Sequence, residues 1–179
     1  MTTIIGIEGP DWSVMAADSQ ISDDSFKIIS TSTPKLIEFK DLIVGLRGDA
    51  RPGDLIAYDW KPPRISGDLK KWVVSKMIPS MIDCFNQSEY DWKHEDADYN
   101  FLVSVKGEIF DIGADLSISK SDYNIYASGS GKNLAIGYLM GQRIDSVEDA
   151  ILVADRAIDI SAKFDIHTSL PAQIKVQRR

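Results

Sequence analysis

The start of this chain could present two reactive groups on one residue. Aminopeptidases remove an initiator methionine when the next side chain is small, and Met1 is followed here by Thr2. Thr2 would then carry a hydroxyl and a free α-amine with a pKa of about 7.7–8.0, which could accept a proton near neutral pH. A threonine hydroxyl activated by its own amine is a known nucleophile for acyl transfer. Many proteins begin with Met-Thr, however, so an ordinary chain start also explains this pair.

Three other residue combinations could carry chemistry, and the sequence disfavours each. Residues 128–132 (Ser-Gly-Ser-Gly-Lys) resemble a phosphate-binding loop, but Asn133 stands where the Walker pattern requires serine or threonine. The single cysteine, Cys84, lies in an apolar helical pattern, which favours a buried thiol over a nucleophile paired with His94 or His167. One cysteine and two distant histidines also lack the ligand spacing of a zinc site. We therefore expect no nucleotide, metal or other cofactor.

The composition indicates one soluble globular domain spanning residues 1–179. The chain is 44% hydrophobic and 26% charged, with a net charge of −7. The acidic balance disfavours nucleic acids and anionic membranes as general partners. Neither a secretory signal nor an apolar run of about 20 residues is present. With one cysteine, no internal disulfide can form, which suits a reducing compartment. We therefore expect a cytoplasmic protein.

The hydrophobic pattern predicts runs of strands that alternate with runs of helices. Strands are predicted at residues 3–7, 13–17, 36–39, 42–46, 101–105, 108–112, 124–127 and 172–176. Helices are predicted at residues 50–60, 69–85, 133–140 and from Ser146 to about residue 161. Residues 20–26 and 86–98 are polar and predict loops, and Pro79 predicts a kink. Strand and helix runs that are segregated in this way favour an α+β fold with two facing sheets and helices outside.

Six short segments carry a resemblance that covers nearly the whole chain in order. The segments are residues 2–7, 16–19, 35–38, 44–50, 128–131 and 163–168. Residues 2–7 resemble the mature N-terminus of proteasome β-subunits and of the bacterial HslV-type peptidase subunit. The other five segments resemble later segments of the same proteins, in the same order. Examples are Ala-Ala-Asp-Ser at 16–19 and Gly-x-x-Gly-Asp-Ala at 45–50. The resemblance implies an N-terminal-nucleophile hydrolase fold, which is a four-layer αββα sandwich with two antiparallel sheets between helix layers.

The resemblance also implies a role for each matching residue around Thr2. Thr2 would be the nucleophile and its amine the base. Lys35 would favour the deprotonated hydroxyl, and Asp18 would keep Lys35 charged and oriented. The backbone N–H of Gly45 would donate into the oxyanion hole, where such a donor contributes about 3–4 kcal/mol. Each residue has an ordinary alternative: Asp18 could end a strand, Lys35 could be a solvated edge lysine, and Gly45 could be a close-packing site.

Further matching residues would support the terminal amine or contact the substrate. By the same resemblance, Ser130 would bond the amine and Asp165 would support it. Thr168 stands where the family has a serine and keeps the hydroxyl. Ile43 would line the pocket for the residue that precedes the cleaved bond, and Arg47 would crowd or charge the substrate cleft. A plain turn and a surface acid are the ordinary explanations for Ser130 and Asp165.

Together these features predict a threonine-type endopeptidase that becomes active when Met1 is removed. Two alternatives stay open. The chain could be a catalytically silent, ring-forming scaffold protein of the same fold, or an N-terminal-nucleophile amidase that acts on a small amide. The resemblance implies self-association into a closed homo-oligomeric ring or stacked rings, peptide or unfolded-protein substrates, and an ATP-dependent unfoldase as a partner. Nucleic acid and membrane are not expected as partners.

Overall fold

The computed structural model describes residues 2–22, 26–95 and 97–179, which form eleven strands and five α-helices. The strands are β1 (Thr3–Glu8), β2 (Trp12–Ala17), β3 (Gln20–Ser22), β4 (Lys27–Ile29), β5 (Leu36–Phe39), β6 (Leu42–Gly48), β7 (Tyr99–Val105), β8 (Glu108–Ile112), β9 (Ile118–Ser119), β10 (Ile125–Gly129) and β11 (Gln173–Arg178). The helices are α1 (Ala50–Tyr58), α2 (Leu69–Trp72), α3 (Ile78–Gln87), α4 (Lys132–Leu139) and α5 (Val147–Phe164). A π-helical segment, Val73–Met77, joins α2 to α3.

Antiparallel pairing builds two main sheets. One has the strand order β10-β1-β2-β11, and the other has the order β5-β6-β7-β8-β9. A separate hairpin is formed by β3 and β4. The first strand of the chain is therefore an inner strand, held by β10 on one side and β2 on the other. This mixture of antiparallel sheets and helices confirms the predicted α+β class.

Side chains of the two main sheets meet in an apolar cluster. Ile4 of β1 and Met15 of β2 pack there with Ile43 of β6 and Leu102 of β7. Because side chains alternate along a strand, the neighbouring Ile5 points the other way and packs in a second cluster with α4 and α5. A third cluster packs α1, α3 and the π-helical segment on the opposite side of the five-stranded sheet. Strand β1 is thus covered on both faces, which explains its continuous apolar run.

Helix α5 begins and packs as its sequence predicts. The Ser146 hydroxyl caps the helix by accepting from the Asp149 N–H at 3.1 Å. Small residues at Ala150, Ala154 and Ala157 are buried and allow the helix backbone to lie close to the four-stranded sheet.

The helix predicted over residues 69–85 is divided by the π-helical segment, and the kink expected at Pro79 stays a prediction. Pro79 is the second residue of α3, and only Ile78 separates it from the π-helical segment. Proline has no N–H to donate to the carbonyl four residues earlier, and its ring clashes with that carbonyl. The wider π turn relieves this clash before the proline is reached.

Residues 20–26, predicted as a loop, are partly a strand. Gln20 pairs with Ile29 and Ser22 with Lys27, while residues 23–25 lie outside the described residues. The two strands are short and β4 is exposed. The sequence therefore lacks the alternation of apolar and polar residues that would predict a strand there. The same reason applies to the two-residue strand β9. None of the helices in the described segments is long and apolar enough to cross a membrane.

Candidate active site

Thr2 lies at the entrance to β1, beside a polar cleft of about 320 Å³. Only 6% of Thr2 is exposed. Its carbonyl oxygen accepts from the backbone N–H of Ser130 at 2.9 Å, which fixes the start of the chain against the turn that follows β10. The cleft is lined by side chains that include Arg47, Asp98, Asn100, Asp111, Ser128, Ser130 and Lys132.

Two glycines allow the turn after β10 to approach the start of β1. Gly129 has φ +97°, and a Cβ added there would lie 1.7 Å from the Thr2 carbonyl oxygen. A Cβ added at Gly131 would lie 2.3 Å from Thr3 Oγ1. Residues with side chains would therefore push the turn away from Thr2. The Ser-Gly-Ser-Gly sequence at 128–131 is explained by this contact.

Asp18 follows β2 and is fully buried. Its Oδ1 accepts from Lys35 Nζ at 2.7 Å and from the Thr3 N–H at 2.9 Å. Its Oδ2 accepts from the N–H of Gln20 at 2.9 Å and of Ser169 at 3.3 Å. Four donors thus match the acceptor positions of a carboxylate, as a buried carboxyl group requires. One oxygen of Asp18 joins the lysine directly to the Thr2–Thr3 peptide.

Lys35 is largely buried, with 11% of its side chain exposed. Its backbone N–H donates to Gln173 Oε1 at 2.9 Å, which attaches it to the strand β11. Burial lowers the pKa of Lys35 below the ordinary lysine value of 10.5, and the nearby Asp18 carboxylate opposes that effect only in part. The lysine is therefore held in place and also gives up its proton more readily than a solvated lysine.

A second acid, Asp165, lies after α5 on the other side of Thr2. Its Oδ2 accepts from Ser130 Oγ at 2.7 Å and from Thr168 Oγ1 at 2.5 Å. Ser130 Oγ is also 3.4 Å from the Thr2 carbonyl oxygen. Burial raises the pKa of Asp165, but the hydroxyl hydrogen bonds outweigh it and hold that pKa below the ordinary aspartate value. The expected grouping of Ser130, Asp165 and Thr168 is thus present at the start of the chain.

Thr3 was not among the residues predicted for the site, yet it contacts Asp18 directly and is linked to Asp165 through Thr168. Its N–H donates to Asp18, and its hydroxyl lies 2.5 Å from the Thr168 hydroxyl. Thr3 follows Thr2 in an apolar strand, where a threonine is ordinary. The feature that could have identified it is alternation, because Thr3 shares the β1 face of Ile5 and Ile7 and is polar and fully buried there.

The three residues expected from β6 have different surroundings. Gly45 is buried between the sheets, where an added Cβ would lie 3.1–3.2 Å from Leu36, Ile4 and Met15. The glycine is therefore also a close-packing site, and its oxyanion-hole role stays a prediction. Arg47 lines the cleft and forms an ion pair with Asp98.

Ile43, the third of these residues, is buried away from the cleft. It is 1% exposed, lies in the cluster between the two sheets, and does not line the cleft beside Thr2. The reason is that the four-stranded sheet covers this part of β6. The contact of Ile43 with a substrate stays a prediction. Within the described residues, no group of three side chains is arranged to hold a metal ion.

Comparisons with known proteins find this fold in several solved structures. No protein-family profile matches the chain, and no curated protein does. BPH from Thiobacillus denitrificans, solved in complex with epoxomicin, is 21% identical, with a TM-score of 0.77 over 99% of this chain and 98% of that chain. HslV from Trypanosoma brucei is 17% identical, with a TM-score of 0.70 over 99% and 100%. Anbu from Pseudomonas aeruginosa, solved as a helical assembly, is 15% identical, with a TM-score of 0.74 over 99% and 82%. The chain therefore has the fold that these three proteins share, as the resemblance to HslV-type subunits implied.

Proposed function

We propose that this protein is a threonine-type peptidase of the N-terminal-nucleophile class, with Thr2 as the nucleophile after removal of Met1. The observation that carries the proposal is the bond pattern at Asp18 Oδ1, which accepts from both Lys35 Nζ and the Thr3 N–H. A lysine and an acid are thereby fixed next to the one residue that could bear a hydroxyl and a terminal amine. The fold shared with HslV, and with BPH in its epoxomicin complex, supports the same class.

The reaction would proceed by acyl transfer to Thr2. Its hydroxyl oxygen attacks the carbonyl carbon of the scissile amide, and the hydroxyl proton passes to the α-amine, directly or through water. The tetrahedral intermediate collapses, and the leaving amine takes that proton. Water then attacks the ester on Thr2 with the amine again as the base, which releases the acid and restores the hydroxyl.

Lys35 would act on the hydroxyl through its charge, while the α-amine acts as the base. As an ammonium ion it would stabilise the developing alkoxide of Thr2, and Asp18 favours that form. The Gly45 N–H would stabilise the oxyanion, for which a donor contributes about 3–4 kcal/mol. Ser130, supported by Asp165 and Thr168, would orient the amine.

The cleft beside Thr2 is the proposed substrate-binding surface. Arg47, Asp98 and Lys132 give it charges of both signs. The helical assembly of the Anbu relative supports self-association of this chain, and we propose a homo-oligomer. The packing of α1 and α3 on one sheet and of α4 and α5 on the other supports a four-layer αββα arrangement. We also propose a cytoplasmic location, closed rings and an ATP-dependent unfoldase partner. The support for these three comes from the sequence alone.

Intact-mass measurement before and after treatment with a peptide-epoxyketone tests the proposal most directly. We expect loss of Met1 and one covalent adduct, mapped to Thr2, with the Thr2→Ala variant as the unlabelled control. Retained Met1, or a free Thr2 that never reacts in the folded protein, would contradict the proposal and favour a structural protein of this fold. Labelling without cleavage of any peptide in a mixed library would instead favour an amidase for small amides.

A further inference from the structure

The hydroxyl of Thr3 has a defined direction of hydrogen bonding. Thr168 Oγ1 donates its single proton to Asp165 Oδ2 at 2.5 Å. The short 2.5 Å contact between the Thr3 and Thr168 hydroxyls must therefore use the Thr3 proton. Thr3 Oγ1 in turn accepts from the backbone N–H of Gly131 at 3.2 Å. A one-way chain runs from Gly131 through Thr3 and Thr168 to Asp165.

The backbone of the same residue bonds the other acid. The Thr3 N–H donates to Asp18 Oδ1, the oxygen that also holds Lys35. The other end of this peptide plane, the Thr2 carbonyl, accepts from Ser130. Both polar atoms of the Thr2–Thr3 peptide are therefore bonded, one towards each acid.

A fixed Thr2–Thr3 peptide plane limits the torsion angles that can move the reactive groups of Thr2. Once Met1 is removed, the position of the Thr2 amine relative to the peptide depends on ψ alone, and that of the hydroxyl on ψ and χ1. A fixed peptide plane leaves these two torsions as the only freedom of the nucleophile and its base. Displacement of reacting groups by about 1 Å can lower a rate by about 100-fold.

We propose that Thr3 is a positioning residue of the site: its hydroxyl locks the Thr2–Thr3 peptide to the Ser130–Asp165–Thr168 cluster while its N–H locks it to Asp18 and Lys35. This inference rests on the proposed function of Thr2. It also explains why a polar residue stands at a fully buried position of β1 whose face is otherwise apolar. Valine has the same shape and would fill the space but would leave the Gly131 N–H without an acceptor.

The test compares Thr3→Val with Thr3→Ser in the full-length protein. The rate constant for inactivation by a peptide-epoxyketone (kinact) is measured separately from the inhibitor constant (Ki). We expect Thr3→Val to lower kinact by about 10- to 100-fold with Ki nearly unchanged, because the cleft keeps its lining residues. Thr3→Ser keeps the hydroxyl and should restore most of the wild-type kinact.

Ser13→Ala is the matched control for the loss of one buried hydroxyl. Ser13 is fully buried in β2, and its hydroxyl lies 2.6 Å from that of Ser104, which does not line the cleft. This variant should leave kinact unchanged. If Thr3→Val does not fold, Thr168→Val removes the same bond from its other end, together with the bond from Thr168 to Asp165, and should give at least the same loss, with Thr168→Ser as its rescue.

Each result has a distinct meaning. A wild-type protein whose Thr2 never reacts would remove the proposed function, on which this inference depends. A reactive wild type with equal kinact in Thr3→Val, or in Thr168→Val where Thr3→Val does not fold, would overturn the role of Thr3 and leave the function intact. An equal loss in Ser13→Ala would also overturn it, since a general effect of lost stability would then explain the rate.

Discussion

Replacing Asp18 by asparagine keeps the shape of a fully buried side chain and removes its charge. The carboxylate accepts from four donors, two at each oxygen. An asparagine offers one acceptor oxygen, and its NH₂ group would face two donors in either orientation. Either the oxygen near Lys35 and Thr3 or the one near Gln20 and Ser169 therefore loses its function as an acceptor.

The expected loss of stability follows from the burial of the pair. Removing one partner of a buried ion pair costs about 3–5 kcal/mol, because the other charge is left uncompensated. Lys35 keeps 11% of its side chain exposed, so we expect the lower end, about 3 kcal/mol near pH 7. The Asp18 charge raises the pKa of Lys35 against the larger effect of burial, so its removal lowers that pKa further.

The sign of the pH dependence follows from this pKa. A lysine whose folded-state pKa is below its unfolded value of 10.5 opposes folding at low pH, and this penalty disappears as pH rises from the folded pKa to 10.5. The penalty is larger in Asp18→Asn than in the wild type. The stability deficit of the variant should therefore shrink as the pH is raised from neutral towards 10.5.

Urea unfolding followed by tryptophan fluorescence, at pH about 7 and about 9.5 and at one fixed protomer concentration, measures both effects. Glu38→Gln is the matched control, because Glu38 and Lys175 form an ion pair with the same 2.7 Å separation but with 49% and 39% of their side chains exposed. An exposed pair contributes about 0–1 kcal/mol. Equal losses in the two variants, or a deficit that grows with pH, would refute the argument from burial.

Two further sets of variants test the nucleophile and the turn that holds it. Thr2→Ala should abolish cleavage of a fluorogenic peptide with unchanged stability. Lys35→Ala should lower kcat by about 10²- to 10⁴-fold in the same assay. Normal turnover in Thr2→Ala would show that another residue attacks. Gly129→Ala should destabilise the protein by more than about 2 kcal/mol and prevent labelling of Thr2, because its Cβ would overlap the Thr2 carbonyl and its φ is +97°. Gly137→Ala in α4, where nothing lies within 4 Å of an added Cβ, should instead stabilise it by about 0.5–1 kcal/mol in the same thermal or urea unfolding assay.

Local pattern was sufficient to predict the strands of the β5–β6 and β7–β8 hairpins, but not those of the β3–β4 hairpin. The turn between β7 and β8 is formed by Lys106 and Gly107, both with positive φ, as the sequence at that point indicates. Neither the pairing of β1 with β10 nor that of β2 with β11 could be predicted in this way, because each joins segments more than a hundred residues apart. The pairing of Asp18 with Lys35 was expected only from the resemblance, since spacing alone does not bring them together.

The burial of Ile43 could not be predicted from the sequence for a similar physical reason. Alternation correctly places Ile43, Gly45 and Arg47 on one face of β6. Along that face, Ile43 and Gly45 are covered by the four-stranded sheet, while Arg47 lies beyond its cover and lines the cleft. A sequence states which residues share a face, but it does not state where the opposing sheet ends. That boundary separates the residues of the core from those that a substrate can touch.

The two acids of the site differ in the contacts that they make around the start of the chain. Asp18 is fully buried and has a donor at each of its four acceptor positions, so it can hold Lys35 and Thr3 but has no position left for a moving proton. Asp165 is partly exposed, and Ser130, which donates to it, lines the cleft. Proton movement between the cleft and an acid is therefore possible on the Ser130 side. On the Asp18 side the arrangement is static, which suits a group that fixes geometry and charge.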